Sequence, residues 1–171
     1  MKPSAEDLYT QATELYGSAL DRLAGAYERD PDKRRDLLQE IHLALWRSFE
    51  KFEARCSLRT WVYRVAHNTA ASYVLRQTRA NSRLLTLEDI EIMPEAARRP
   101  REPDERLALQ RLHDLIHQLK QPYRELMLLY LEGLDSVEIG EIMGISSGNV
   151  RVQVHRIRTI LARRFHAGAK V

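Results

Sequence analysis

The apolar residues of this chain recur at helical spacing from its first turn onward. Leu8, Ala12, Leu15, Ala19, Leu23 and Tyr27 fall three or four residues apart and so share one face of an amphipathic helix. RDPDK then interrupts the pattern. Pro31 cannot continue a preceding helix, and Asp30 stands where a side chain can cap the next one. Leu37, Leu38, Ile41, Leu45, Phe49 and Phe52 form a second stripe, which EARCS ends. Ser57 is placed to cap a third helix carrying Leu58, Trp61, Val62, Val65 and Thr69, and both Trp46 and Trp61 fit core positions. Three amphipathic helices with short connections predict a helical domain over residues 1–83.

The pattern then lapses. Pro94, Pro100 and Pro103 stand among charged residues with little to bury, so residues 84–103 read as a flexible linker. Fully extended, such a segment reaches ~70 Å. Helical spacing resumes near Asp104 with Leu107, Leu112, Leu115, Ile116 and Leu119, opening a second domain over residues 104–171. Pro122 suits the start of the next helix and Gly133 the position just past its end. No strand pattern and no long repeat intervenes. The fold expected is all-α: two small helical domains joined by a flexible linker.

The stretch IGEIMGISSGNVRVQVHRIR, from Ile139 to Arg158, has the form of a helix-turn-helix. Asp135 can cap the first helix, with Glu138 completing a capping box. Gly140 leaves room for a crossing helix, and Gly144 supplies the positive φ of a tight turn. Ser146 can cap the second helix, whose inward stripe is Val150, Val154, Ile157, Leu161 and Phe165. The opposite surface, beginning at Ser147, presents Asn149, Val152, Gln153 and Arg156 with Arg151 on the flank. Arginine can bind guanine bidentately, asparagine and glutamine can read adenine, and valine can touch a thymine methyl.

Charge sharpens this picture. The net charge is only +3, but its distribution is uneven. No Asp or Glu occurs from Ala54 to Leu87, where six arginines do, and none occurs after Glu141, where Arg151, Arg156, Arg158, Arg163, Arg164 and Lys170 follow. Two separate cationic zones point to two contacts with a polyanion. The single cysteine, Cys56, excludes an intrachain disulfide and suits a reducing cytoplasm. The opening MKPSAEDLYTQ lacks the apolar run of a signal peptide, and the longest purely apolar run, LMLLYL, is too short to span a membrane.

These blocks carry a family resemblance. LMLLYLEGLDSVEIGEIMGISSGNVRVQVHRIRTILARRF resembles region four of bacterial extracytoplasmic-function sigma factors of the sigma-70 family, and DLLQEIHLALWRSFEKFEARCSLRTWVYRVAHNTA resembles their region two. The two occur in the family's order, with a proline-rich linker between. The resemblance implies a non-enzymatic, cofactor-free factor that directs core RNA polymerase to specific promoters and assists their opening. It implies docking on the polymerase β′ clamp through Asp36, Leu37, Gln39, Glu40 and Leu43. It places melted promoter DNA against residues 53–58 and against Arg59, Thr60, Tyr63, Arg64, His67 and Asn68. Region four would bind the β flap and the upstream element, with Arg151, Gln153 and Arg156 at positions that read or grip DNA. An anti-sigma factor is a further partner the resemblance implies.

The chain departs from the family just before LLQE. DPDKRRDLLQE places Lys33, Arg34 and Arg35 where the family usually carries acids. Two readings follow: Asp36 and Glu40 suffice for docking, or a Ser/Thr kinase restores charge by phosphorylating Ser48, Ser57 or Thr60. Gln153 replaces a commonly basic residue, and Gly140 a usual alanine. HDLIH sets His113 and His117 one helical turn apart, but with no third ligand the segment reads as a surface helix rather than a metal site, and a zinc hydrolase is a distant alternative. The nearer alternative is a conventional helix-turn-helix transcriptional regulator whose first domain senses a signal or dimerises.

Overall fold

Five of the helices begin where a short polar side chain satisfies free amides. In the computed structural model, which describes residues 3–80 and 105–167, the Ser4 hydroxyl and the Asp7 carboxylate cap each other's backbone amides at the start of α1 (Ala5–Tyr27). Asp30 accepts from the amides of Asp32 and Lys33 at the start of α2 (Pro31–Phe49), with Pro31 in the first turn. Ser57 accepts from the Thr60 amide at 3.0 Å and opens α3 (Leu58–Ala80). These three helices pack on one another around Leu20, Leu37, Ile41, Leu45 and Val62, all fully buried.

Two expected core positions lie outside that core. Leu15 is 60% exposed, because the buried face of α1 is centred on Leu20, Leu23 and Ala24 and leaves Leu15 at its edge. Trp46 is 46% exposed and meets only the edge of Tyr9, with ring centroids 5.2 Å apart. Trp61 is largely covered: it packs on Phe52, and its indole N–H donates to the Ser48 hydroxyl at 3.0 Å.

The second unit comprises α4 (Glu105–His117), α5 (Tyr123–Leu131), α6 (Ser136–Met143) and α7 (Ser147–Ala167). Gly133 takes φ +78° just past α5, and Asp135 with Glu138 forms the capping box of α6. Gly144 ends α6 at φ +70°, and Ser146 accepts from the Asn149 amide at the start of α7. Val150, Val154, Ile157 and Leu161 are buried against α4, α5 and α6. Phe165 is half-buried, with the Arg111 guanidinium 5.3 Å from its ring centroid. The linker expected at residues 84–103 lies outside the described residues. Among those residues there is no strand, and no helix long and apolar enough to cross a membrane.

The two units are docked. α5 packs on α1 and α6 on α3, and the buried side chains form one continuous cluster through both. Tyr63, Ala66, Ala70 and Tyr73 of α3, spaced three or four residues apart on one face, belong to that cluster.

The close approach expected at Gly140 is made both by the turn after α6 and by the first residue of α7, since a Cβ would stand 3.4 Å from the Ser147 amide nitrogen. A Cβ there would lie 2.6 Å from the carbonyl oxygen of Ile145, in the turn that follows its own helix. Alanine would improve helix propensity by about 1 kcal/mol, but overpacking costs about 1–3 kcal/mol. Gly140→Ala is therefore expected to lower the thermal unfolding midpoint. A raised midpoint would show that the turn absorbs the methyl group.

Candidate nucleic-acid interface

α7 presents two chemically distinct faces. Its apolar stripe is sunk in the core, while Asn149, Arg151, Val152, His155 and Arg156 face solvent, Val152 at 67% exposure. Ser147 is half-buried in the first turn. Gln153 is also half-buried, and its amide donates to Asn149 Oδ1 at 2.9 Å, so the two side chains are held as a pair. Arg151 reaches back to the Ser136 hydroxyl at 3.3 Å. Arg151, His155 and Arg158 line a shallow cavity of about 210 Å³ with Tyr130 and Ser136. Arg158 donates to the Tyr130 hydroxyl at 3.3 Å, with its guanidinium 5.8 Å from the centre of that ring. His155 and Arg158, four and seven residues after Arg151, share its edge of the helix. With no acid on the helix, this surface suits a phosphate backbone and an exposed groove edge.

α3 is different. Of Arg59, Thr60, Tyr63, Arg64, His67 and Asn68, only Asn68 is exposed; Thr60 and Tyr63 are each 2% exposed. The second unit covers them. Arg59 donates to Glu138 at 2.9 Å and to the Gly133 carbonyl at 3.3 Å, and the Thr60 hydroxyl donates to the same Glu138 at 3.3 Å. Arg64 donates to Glu141 at 3.0 Å, and Arg22 of α1 grips Glu132 at 2.5 and 2.8 Å. In each ion pair across this boundary the base comes from the first unit and the acid from the second.

The centre of the boundary is a buried carboxylate. Glu125 has no solvent exposure; His67 Nδ1 lies 2.7 Å from its Oε1, and the Tyr27 hydroxyl donates to its Oε2. A charge taken out of water persists only when such partners replace the water. Burial, and then the charge of Glu125, pushes the Tyr27 hydroxyl far above the usual phenol range. Burial and the charge of Glu132 push Tyr63 upward in the same way. Arg124 is fixed beside them by the carbonyls of Leu119 and Ala26, at 2.9 and 2.7 Å; burial and the nearby Arg29 lower its pKa to about 10. Tyr27→Phe removes one of two side-chain donors to a buried charge, and the expected loss is about 1–3 kcal/mol of stability. Chemical denaturation measures it, and a loss near zero would mean that water replaces the hydroxyl.

The surface expected to meet polymerase is a stripe on α2. Asp36, Gln39 and Leu43 are exposed, Leu43 at 49%, and Glu40 is half-buried in an ion pair with Arg76 at 2.5 Å. Leu37 is fully buried in the three-helix core and cannot be part of that surface. Trp46 extends the stripe instead, at the i, i+3 distance from Leu43. Ser48 is half-buried and bonded to the Leu45 carbonyl and to Trp61, Thr60 is buried beside Glu138, and Ser57 is exposed. The rings of His113 and His117 lie tilted to each other with centroids 5.1 Å apart, and no cluster of three or more metal-ligating residues occurs among the described residues. Cys56 packs at the edge of the core.

Comparison with known proteins places both units. Residues 13–80 match Sigma-70 region 2, and residues 109–161 match Sigma-70, region 4. The chain is 32% identical over 139 residues to the ECF RNA polymerase sigma-E factor of Haemophilus influenzae, covering 74% of this chain and 71% of that one. It is 31% identical over 140 residues to the RNA polymerase sigma-H factor of Pseudomonas aeruginosa, covering 77% and 72%. Its fold is similar to that of the sigma factor RpoE of Bartonella quintana, solved in complex with the anti-sigma factor NepR, with a TM-score of 0.67, 23% identity, and 95% and 97% of the two chains covered.

Proposed function

Because the chain belongs to the extracytoplasmic-function branch of the sigma-70 family, and is a promoter-specific transcription initiation factor, we propose that its two units divide the promoter between them. The unit within residues 1–83 takes the melted strand on α3, the unit within 104–171 takes the duplex on α7, and residues 84–103 span the distance. Polymerase supplies the nucleotide chemistry. Opening a duplex means unstacking and extruding a base, at a cost of a few kcal/mol. Arg59, Arg64, His67 and Asn68 line one side of α3, where cations and hydrogen-bond donors can hold the extruded base and its flanking phosphates. On α7, Asn149, Gln153, Val152 and Arg156 read base edges, while Arg151, His155 and Arg158 hold phosphates.

The observation that carries this reading is the presence, in one chain and in family order, of both regions, each with an acid-free arginine helix. Nothing observed favours a conventional helix-turn-helix regulator. The exposed α2 stripe of Asp36, Gln39, Leu43 and Trp46, with Glu40 beside it, docks on the β′ clamp of core polymerase, and the second unit on the β flap. An anti-sigma factor is a partner of the same kind as the one bound to the solved relative. If a Ser/Thr kinase acts on this chain, Ser57 is its accessible hydroxyl among the three considered.

Transcription in vitro with core polymerase tests the division. Arg156→Ala is expected to weaken upstream duplex binding by about 1–3 kcal/mol and to leave strand opening intact once the complex forms. Arg64→Ala and Asn68→Ala are expected to leave duplex binding unchanged and to reduce permanganate-reactive thymines in the opened region. Equal effects of both sets on duplex binding, with none on opening, would contradict the assignment.

A further inference from the structure

One end of the boundary between the units breaks its charge rule. Elsewhere each ion pair across it sets a base of the first unit against an acid of the second. Where the end of α1 meets the end of α4, base faces base. Arg29, two residues past α1, reaches over to the carbonyl of His117, the last residue of α4, at 2.6 Å. Arg124 of α5 reaches the opposite way, to the carbonyl of Ala26 at 2.7 Å. This exchange of carbonyls draws the two guanidiniums together. His117 and His113 stand beside them, with ring centroids 5.1 Å apart, and Lys120 follows in the connection to α5. The acids next in sequence are engaged elsewhere: Glu28 accepts the Asp30 amide, Asp30 caps α2, and Glu125 is held by Tyr27 and His67. Asp114 is exposed and acts on His117 against these cations, but among the described residues it forms no ion pair with either arginine.

We propose that this cationic junction is a binding site for a small phosphate-bearing anion, inorganic or organic, that bridges the ends of α1 and α4. A phosphate dianion matches the surplus charge, and its oxygens accept from several donors at once. Arg29 is exposed and, among the described residues, is bonded only through Nη2, which leaves the rest of its fork open to a ligand. His113 is exposed and His117 half-buried, and a protonated imidazole donates from both ring nitrogens. Arg124 is buried and bonded through Nε, Nη1 and Nη2, so it supplies charge from beneath rather than a contact. Burial, then His113, Arg124 and Arg29, hold His117 below its usual value, with Asp114 opposing them. The unfolded chain therefore takes up a proton near pH ~6.5 that the folded chain refuses, and the free chain loses stability as the pH falls through that range. A bound dianion reverses the sign: it favours the protonated ring, so acid tightens the ligand.

The test titrates the full chain with sodium phosphate and with sodium pyrophosphate at constant ionic strength. Binding is read by calorimetry and by the ring-proton signals of His117 in NMR. Saturable binding is expected, tighter at about pH 6 than at about pH 8, with the titration of His117 moved upward by the ligand. Arg29→Gln is expected to weaken binding about 10- to 150-fold, the span for a hydrogen bond to a charged group. Arg163→Gln, on an exposed part of α7, is expected to leave it unchanged. His117→Gln, with its fold checked by circular dichroism, is expected to flatten the pH dependence. ADP and a mixed-sequence DNA oligonucleotide separate the sources. Arg29-dependent binding of ADP tighter than that of pyrophosphate supports an organic phosphate, and equal or weaker binding supports the inorganic ion. An oligonucleotide that depends on Arg29 and is not displaced by pyrophosphate makes the junction a DNA contact and overturns the small-ligand site. A response no larger than that to sodium chloride, or one lost equally in Arg29→Gln and Arg163→Gln, also overturns it. If the variants fail to fold, the unsubstituted chain decides: an unmoved His117 titration at saturating pyrophosphate contradicts the proposal.

Discussion

A carboxylate buried between two domains sets the terms for this structure. Glu125 has no contact with solvent, and its charge is answered by Tyr27 from one helix of the first unit and by His67 from another. The ion pairs around it share a polarity, with bases on α1 and α3 and acids on α5, α6 and the turn between them. Removing one partner of such a group costs more than the pair contributes in isolation, since the remaining charge stays buried. The docking of the two small domains therefore depends on that charge keeping its donors as well as on the apolar cluster they share.

The same constraint links fold to function. A helix that binds a melted strand needs cations and hydrogen-bond donors on one face, and such a face is costly to cover unless it is matched. Here α5 and α6 match it with acids, leaving α7 free to present Asn149, Val152 and Arg156 outward. The cationic face of α7 is open, and that of α3 is covered. Leu43 and Trp46 on α2 are exposed and take part in none of the ion pairs across the boundary.

Much of the fold was legible in the sequence because it is written in local signals. The caps at Asp30, Ser57, Asp135 and Ser146, and the turn glycines Gly133 and Gly144, stand where short polar residues and glycines announced them. The α7 stripe was equally plain, since the helix has a single covered side. Errors arose where a helix is covered on more than one side, or where a position lies at the margin of its stripe. Leu15 and Trp46 fit a helical period yet fall outside the buried arc, and Leu37 falls inside it although it was expected on the polymerase-facing surface. The boundary could not be read at all. Its charge pairs join residues 58 to 110 positions apart, and no periodicity connects Arg59 with Glu138 or Arg22 with Glu132. Gly140 shows the same limit on a smaller scale: the motif indicated a small residue there, but only the position of the Ile145 carbonyl gives the reason.

The distance between the two units in solution tests the central claim most directly. Spin labels at Thr10→Cys on α1 and Ala162→Cys on α7, both exposed positions, in a Cys56→Ser chain, report it by double electron–electron resonance. The account predicts one narrow distance distribution for the free chain and a longer one for the chain bound to core polymerase and promoter DNA. A broad distribution in the free chain, or the same narrow distance in both states, would contradict it.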